Sequence, residues 1–312
     1  MKIFAAPLQG YTEAPFRHYH AAIYGAADCY FSPFVRVEHG RPRAKDMRDA
    51  ASPLNDNHHL VPQIIFRDEC EFRMLCDALI AAGSREIDLN MGCPFPPQLH
   101  KGRGAAFILN TAGLAEIAGL IRDTYSPAGI SFSVKMRLGL NDAGQWKEAI
   151  GILNNIPLRH ITVHPRTASQ QYSGELHTDS FGEILSQCVH PVIFNGDILS
   201  PEHIINIRQQ FPATAGIMLG RGLLARPSLI SEYRSGEEWP EERRLNSLLR
   251  LHDGICEYYR NTLCGEAQIL SKIKPFWDYP SQYLDRKAAK ALRKSTSLSS
   301  YLSTVAALRR KA

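Results

Sequence analysis

Nowhere in its 312 residues does the chain carry an apolar run approaching the roughly 20 that a helix needs to cross a bilayer. The opening "MKIFAAPLQG" is too briefly apolar for a secretory signal, so a cytoplasmic address with no membrane partner is expected. Cysteine is sparse and unpaired. Cys29, Cys70, Cys76, Cys93, Cys188, Cys256 and Cys264 are odd in number and form no CxxC pair. That pattern argues against a disulfide framework or a zinc knuckle, and no metal is expected. Missing too is a GxGxxG turn after the first apolar run, which disfavours an open dinucleotide-binding sheet.

What is present is repetition. Eight short apolar runs, at 2–8, 29–35, 61–66, 86–91, 132–138, 160–166, 191–197 and 215–221, read as strands. Amphipathic stretches such as "DECEFRMLCDALIAAG", "TAGLAEIAGLIRDTY", "GQWKEAIGILNNI" and "PEHIINIRQQF" lie between them with apolar residues at the helical period. Eight strand-helix alternations predict an α/β fold of the (β/α)8 TIM-barrel type over residues 1–235. After the polar break "SGEEWPEE" (235–242) the pattern turns wholly helical, which predicts a C-terminal all-α bundle of about four helices over 240–312.

Charge follows the same division. The chain is net +5, but from Pro240 onward Lys and Arg number 14 against 7 Asp and Glu, so the first 239 residues are slightly acidic. The basic tail suggests a polyanionic partner, against the plainer reading of a solvated helical surface.

Barrel active sites are built at the C-terminal ends of the strands. Here nearly every end carries a polar residue: the first run leads through Pro7 and Leu8 to Gln9 and Gly10, the third carries Gln63, and the fourth ends at Asn90 and Cys93. The fifth and sixth carry Lys135 with Arg137 and His164 with Arg166, each pair two apart and so on one face. The last two runs end in "NGD" (195–197) and "GRG" (220–222), glycine turns of the kind that hold a phosphate in such barrels.

Cys93 sits just past the fourth strand in "LNMGCPFPP", followed by a glycine- and cation-rich loop, "HKGRGAA" (100–106), suited to an anionic substrate. A thiol in that place acts as a nucleophile if a base activates it, or as a proton donor if left near its ordinary pKa of about 8.5. Lys135 fits either a Schiff base or a cation facing an electron-accepting ring. Spacing does not decide between them.

The segments "APLQGYTEAPFR" (6–17), "LNMGCP" (89–94), "GRGAA" (102–106), "VKMRLG" (134–139), "VHPRT" (163–167), "NGDI" (195–198) and "GRG" (220–222) resemble, in order and spacing, the tRNA-dihydrouridine synthases. The resemblance implies an FMN-bearing barrel and a helical tRNA-binding domain, reducing a D-loop uridine of tRNA to 5,6-dihydrouridine with NADPH as electron source. It makes Cys93 the proton donor to C5 while reduced flavin gives hydride to C6. By the same resemblance Pro7, Leu8 and Gln9 line the flavin and Gln63 bonds its ring edge. Lys135 and His164 lie beside the ring and phosphate, and Asn195, Gly196, Asp197, Gly220 and Arg221 hold the phosphate end. Asn90 and Arg137 meet the target nucleotide. "SPFVRV" (32–37) and "SKIKPFW" (271–277) resemble the DusC-type subgroup, which makes Arg36, Lys272 and Lys274 tRNA contacts. No protein partner is implied. The chain departs from the family in having Leu8 where methionine is usual and Phe95-Pro96-Pro97 after the cysteine. A barrel reductase acting on a small pyrimidine and a tRNA-binding chaperone without chemistry are the alternatives; the basic tail argues against the first and Cys93 against the second.

Overall fold

Alternation of side chains decides the layout. In Glu86–Met91, Ile87, Leu89 and Met91 are buried under helices while Asp88 and Asn90 point the other way, as the two-residue period of a strand requires. The computed structural model describes residues 1–310. Its strands are β1 (Lys2–Ala5), β2 (Cys29–Phe31, resumed as Val35–Glu38), β3 (Leu60–Val61, resumed as Gln63–Ile65), β4 (Glu86–Met91), β5 (Ser131–Arg137), β6 (Leu158–His164), β7 (Val192–Asn195) and β8 (Gly216–Leu219). These eight pair in parallel with their sequence neighbours, and β1 pairs with both β2 and β8, so the sheet closes into a barrel; a two-residue strand, Arg41–Pro42, folds back antiparallel on the end of β2.

Breaks in β2 and β3 fall at Pro33 and Pro62, which have no N–H for the ladder. Ser32 bridges the gap: its N–H donates to the Val61 carbonyl at 3.2 Å and its Oγ accepts from the Gln63 N–H at 3.2 Å. The strands also stop short of the apolar runs that announce them. The runs 2–8, 191–197 and 215–221 end as strands at Ala5, Asn195 and Leu219, because Pro7, Gly196 and Gly220 turn the chain into loops.

Helices α1 (Ala14–Tyr24), α2 (Ala44–Ala50), α3 (Glu69–Ala81), α4 (Thr111–Leu120), α5 (Lys147–Leu153), α6 (Thr178–Gln187), α7 (Pro201–Gln210) and α8 (Leu229–Ser235) follow the eight strands in turn. Caps fix some of their starts: Asp68 accepts from the Glu71 N–H ahead of α3, and Ser200 precedes Pro201 in α7. Phe72, Leu75 and Leu79 of α3 pack on Ile64, Ile87, Leu89 and Phe132 of the sheet. The barrel interior is filled at its base by Phe4, Phe31, Val61, Ile193 and Met218, which leaves its upper end polar.

The tail forms α9 (Glu241–Thr262), α10 (Glu266–Ile273), α11 (Arg286–Lys294) and α12 (Leu298–Arg309). The stretch 266–279 is not one helix, because Pro275 cuts it at Ile273 and a tighter turn, Lys274–Asp278, follows. Nor does 281–295 start as a helix; α11 begins only after Asp285, whose carboxylate accepts from the Ala288 N–H at 2.8 Å. The tail is seated directly on α1. Phe16, Tyr24 and Leu224 share an apolar cluster with Leu248, Ile255, Tyr259 and Trp277, and a side chain added at Gly254 would meet the Tyr19 ring at 2.5 Å. The polar break is pinned as well: Glu232, fully buried, accepts from the guanidinium of Arg244 at 2.9 Å and from the Trp239 N–H at 3.2 Å. Among the described residues no single helix is long and apolar enough to cross a membrane.

Candidate active site

The polar end of the barrel opens into a cavity of about 470 Å³. Every strand end but that of β3 contributes, with Pro33 and Phe34 coming from the break in β2. Pro7, Leu8 and Gln9 come from the loop after β1, Asn90 and Cys93 from β4, Lys135 and Arg137 from β5, His164 from β6, Asn195, Gly196 and Asp197 from β7, and Gly220 and Arg221 from β8. The parallel register places them together, with Asn90 beside Lys135 and Arg137 beside His164.

Cys93 is half-buried on this wall. The Asn90 Oδ1 accepts from the N–H groups of Gly92 (3.1 Å) and Cys93 (2.9 Å), and the Cys93 carbonyl accepts from the Ala105 N–H at 3.2 Å. Gly104, with φ +62°, lies so close that a side chain there would meet the Cys93 Cβ at 2.8 Å. Burial pushes the thiol above its ordinary pKa, against the pull of the Phe95 N–H, Arg137 and Lys135. Cys93 is thus a thiol and not a thiolate near neutrality, which suits a proton donor. The loop that carries it is anchored differently from its composition: Arg103 is buried against Glu71 of α3 (2.9 Å) and does not face the cavity.

Cations crowd the same space. Burial, reinforced by Arg137, pushes Lys135 down to about 8, and burial together with Arg166 pushes Arg137 down to about 10. Burial and the surrounding Arg137, Lys135, Arg166 and Arg221 hold His164 well below its usual pKa, so its ring is neutral. An Arg166 N–H lies 3.4 Å from the His164 Nε2; a guanidinium only donates, so Nε2 accepts and Nδ1 carries the proton. Asp197, in the left-handed region at φ 43°, pairs with Arg166 and with Arg221 at 2.7 Å. Those two partners outweigh its burial and keep it ionised.

The loops after β7 and β8 lock together. Asn195 donates to the Met218 carbonyl at 2.7 Å, and a Cβ at Gly222 would fall 1.9 Å from the Ile198 carbonyl oxygen. Only glycine permits that crossing.

Four expected site residues lie off the cavity wall. Gln63 is fully buried one layer down, where its Oε1 accepts from the Asn90 Nδ2 at 2.7 Å. Arg36 is on the outer part of β2, 3.8 Å from Glu38. Lys272 is turned onto Glu13 at 2.5 Å, and Lys274 donates to the Ser295 carbonyl at 3.0 Å. Both lysines, expected at RNA phosphates, meet partners within the protein. Conversely, three tyrosines line the cavity without having been singled out: Tyr11, Tyr172 and Tyr279. The Tyr172 ring lies 4.5 Å from the Arg221 guanidinium and 5.4 Å from that of Arg137. Tyr279 comes from the tail and packs edge-on against Tyr11, whose hydroxyl donates to Asp278 at 2.9 Å. Tyr172 carried a weak signal, a lone aromatic in the polar loop after a barrel strand. Tyr279 carried none, since its place depends on how the tail docks.

The profile of the dihydrouridine synthase (Dus) family matches residues 4–301. A probable tRNA-dihydrouridine synthase 2 of Bacillus subtilis is 28% identical over 264 residues, covering 81% of this chain and 78% of its own. The tRNA-dihydrouridine(16) synthase of Neisseria meningitidis serogroup A is 29% identical over 245 residues, covering 75% and 72%. Among solved structures, the old yellow enzyme from Trypanosoma cruzi superposes with a TM-score of 0.53 at 8% identity, covering 77% of this chain and 89% of its own. Morphinone reductase gives 0.51 at 10%, covering 76% and 86%. At such identities the structural likeness concerns the barrel fold alone. With the profile running through both barrel and tail, the chain belongs to the dihydrouridine synthase family.

Proposed function

We propose that this protein is an FMN-dependent tRNA-dihydrouridine synthase that reduces a uridine in the D loop to 5,6-dihydrouridine, with NADPH as reductant. The donor set fits FMN: the cavity is lined by apolar Pro7 and Leu8, by the cations Lys135 and Arg221, and by the glycines Gly196 and Gly220. In this reading Pro7, Leu8, Gln9, Lys135 and His164 line the ring and its linker. Asn195, Gly196, Asp197, Gly220 and Arg221 hold the phosphate, and Gln63 supports the ring edge from below through Asn90. Bound there, FMN would supply the hydride for C6 of the uracil, with NADPH as the source of its electrons. Residues 1–235 form the catalytic unit and 240–312 the tRNA-binding unit.

Asn90 and Arg137 meet the target nucleotide, and Arg137 offsets the negative charge that grows on the ring. Cys93 delivers the proton to C5, which leaves a thiolate beside Lys135 and Arg137. Arg36 contacts tRNA from the rim. The exposed cations Arg286, Lys287, Lys290, Arg293 and Lys294 of α11 support the tail as the main phosphate-binding face; Lys272 then acts at its junction with the barrel and Lys274 within the tail. In a cytoplasmic protein all of these partners are at hand.

The observation that carries this reading is a half-buried cysteine, Cys93, held on the wall of a cavity lined by Lys135 and Arg137. A positioned general acid contributes typically 10²- to 10⁴-fold. Cys93→Ala should therefore keep flavin, tRNA affinity and the rate of flavin reduction by NADPH, while reoxidation of the flavin by tRNA lacking dihydrouridine slows by at least about 100-fold. Stopped-flow traces at the flavin band measure it. Reoxidation at the wild-type rate would remove Cys93 as the acid.

A further inference from the structure

Beneath the cavity a carboxyl group is buried that the reaction does not touch. Asp88 is fully buried inside the barrel, in register with Gln63 on β3 and Ser133 on β5. Its Oδ1 accepts from the Ser133 Oγ at 2.5 Å and its Oδ2 from the Gln63 Nε2 at 2.6 Å. From there the bonds run in one direction. The Gln63 Oε1 accepts from the Asn90 Nδ2 at 2.7 Å, and the Asn90 Oδ1 accepts from the N–H groups of Gly92 and Cys93.

We propose that Asp88 is a positioning residue for Cys93, acting through the two side-chain amides of Gln63 and Asn90 to hold the turn that carries the thiol.

The physical basis is the fixed sign of the two ends. A carboxylate only accepts and a backbone N–H only donates, whereas a carboxamide does both. With acceptors at one end and donors at the other, each amide in between has a single consistent orientation. Gln63 must turn its NH2 down and its oxygen up; Asn90 must turn its NH2 toward Gln63 and its oxygen toward the turn. Without Asp88, Gln63 is free to rotate its amide, and Asn90 loses the bond that holds its own oxygen under Gly92 and Cys93. Burial raises Asp88 to about 6 against the donors Gln63 and Ser133, so the acceptor-only form dominates at pH 7.5. Buried in a low-dielectric interior, bonds in such a chain support one another. The remaining Asn90 amide hydrogen is the one left for the cavity that Asn90 lines.

The effect on catalysis rests on Cys93 being the acid, but the hold on the turn does not, and the experiment reads the two separately. The reaction of Cys93 with iodoacetamide, followed on its own peptide by mass spectrometry, reports the turn. Flavin reoxidation by tRNA, normalised to bound flavin, reports the chemistry. Asp88→Leu and Gln63→Met each remove one link with an apolar side chain of similar size, and Cys93 labelling should accelerate at least threefold in either. The double variant should label no faster than the faster single one, since both break one chain. Asp88→Asn should label within about twofold of wild type, because its amide oxygen can still accept from Gln63 while its NH2 turns to the Ser133 hydroxyl. Unchanged labelling in both apolar variants, or additive acceleration in the double one, overturns the proposal. Should Asp88→Leu not fold, Gln63→Met against Asp88→Asn carries the same test. Faster labelling with tenfold slower reoxidation by tRNA supports relay and acid together; faster labelling with normal reoxidation keeps the relay and removes Cys93 as the acid.

Discussion

Lys135 shows what the cavity asks of a ligand. It is pressed by burial and crowded by Arg137, against the pull of Asp88 below. An anionic ligand would relieve that repulsion. Lys135→Ala and Arg221→Ala should each lower the flavin-to-protein ratio after gel filtration; full occupancy in both would contradict their placement beside the cofactor. The pH dependence has a definite sign. Lys135 is cationic below about 8 in the free protein, and an anion binds that form better. The affinity of flavin-stripped protein for FMN should hold steady up to about pH 8 and then weaken as pH rises, by up to about tenfold per unit. Fluorescence titration between pH 6.5 and 9.5 measures it, and Lys135→Ala should flatten the curve.

At the scale of elements, the crossing of the β7 and β8 loops governs the anion-binding end. The Gly222 Cα sits under the Ile198 carbonyl with no room for a methyl group, so Gly222→Ala must push the two loops apart. Asp197 and Arg221 would move with them, and FMN affinity should drop at least tenfold while the circular dichroism of the barrel stays native. The sequence made this region readable because glycine turns after the last two strands are a local pattern. The same holds for Lys135, Arg137 and His164, placed on one face by a period of two. Where the reading went astray, the deciding partner was distant. Gln63 looked like a cavity residue until Asp88 and Asn90, 25 and 27 positions on, claimed its amide. The loop 100–106 looked suited to an anionic substrate by its cations, but one of them, Arg103, is held by Glu71, 32 positions earlier. Prolines 62 and 275 broke elements whose apolar pattern ran straight through them.

For the whole molecule, the question is how barrel and tail act as one body. Glu13, at the start of α1, accepts from the Tyr259 hydroxyl at 2.7 Å and pairs with Lys272 and with Lys45 at 3.1 Å. Burial works against its charge, yet Lys272, Tyr259 and Lys45 together hold it down to about 2. It therefore stabilises the docked tail above the ordinary carboxylate range for as long as Lys272, whose pKa burial lowers, keeps its charge, and on the acid side that contribution fades as pH falls from about 4.5 toward about 2. Removing one side of such a pair leaves the other charge half-buried, which costs on the order of 1 to 3 kcal/mol. The cations of this tail should accordingly separate into two kinds. Lys272→Ala should lower the melting temperature by a few degrees and leave the salt dependence of tRNA binding near its wild-type slope. Lys287→Ala and Lys290→Ala, from the exposed face of α11, should leave the melting temperature unchanged. Each should reduce the log-log salt slope by about 0.7 to 0.9 for the phosphate contact it loses. Binding titrations at several salt concentrations, paired with thermal melts, distinguish the two kinds. A slope that changes with Lys272 and not with Lys287 or Lys290 would move the RNA face from α11 to the junction.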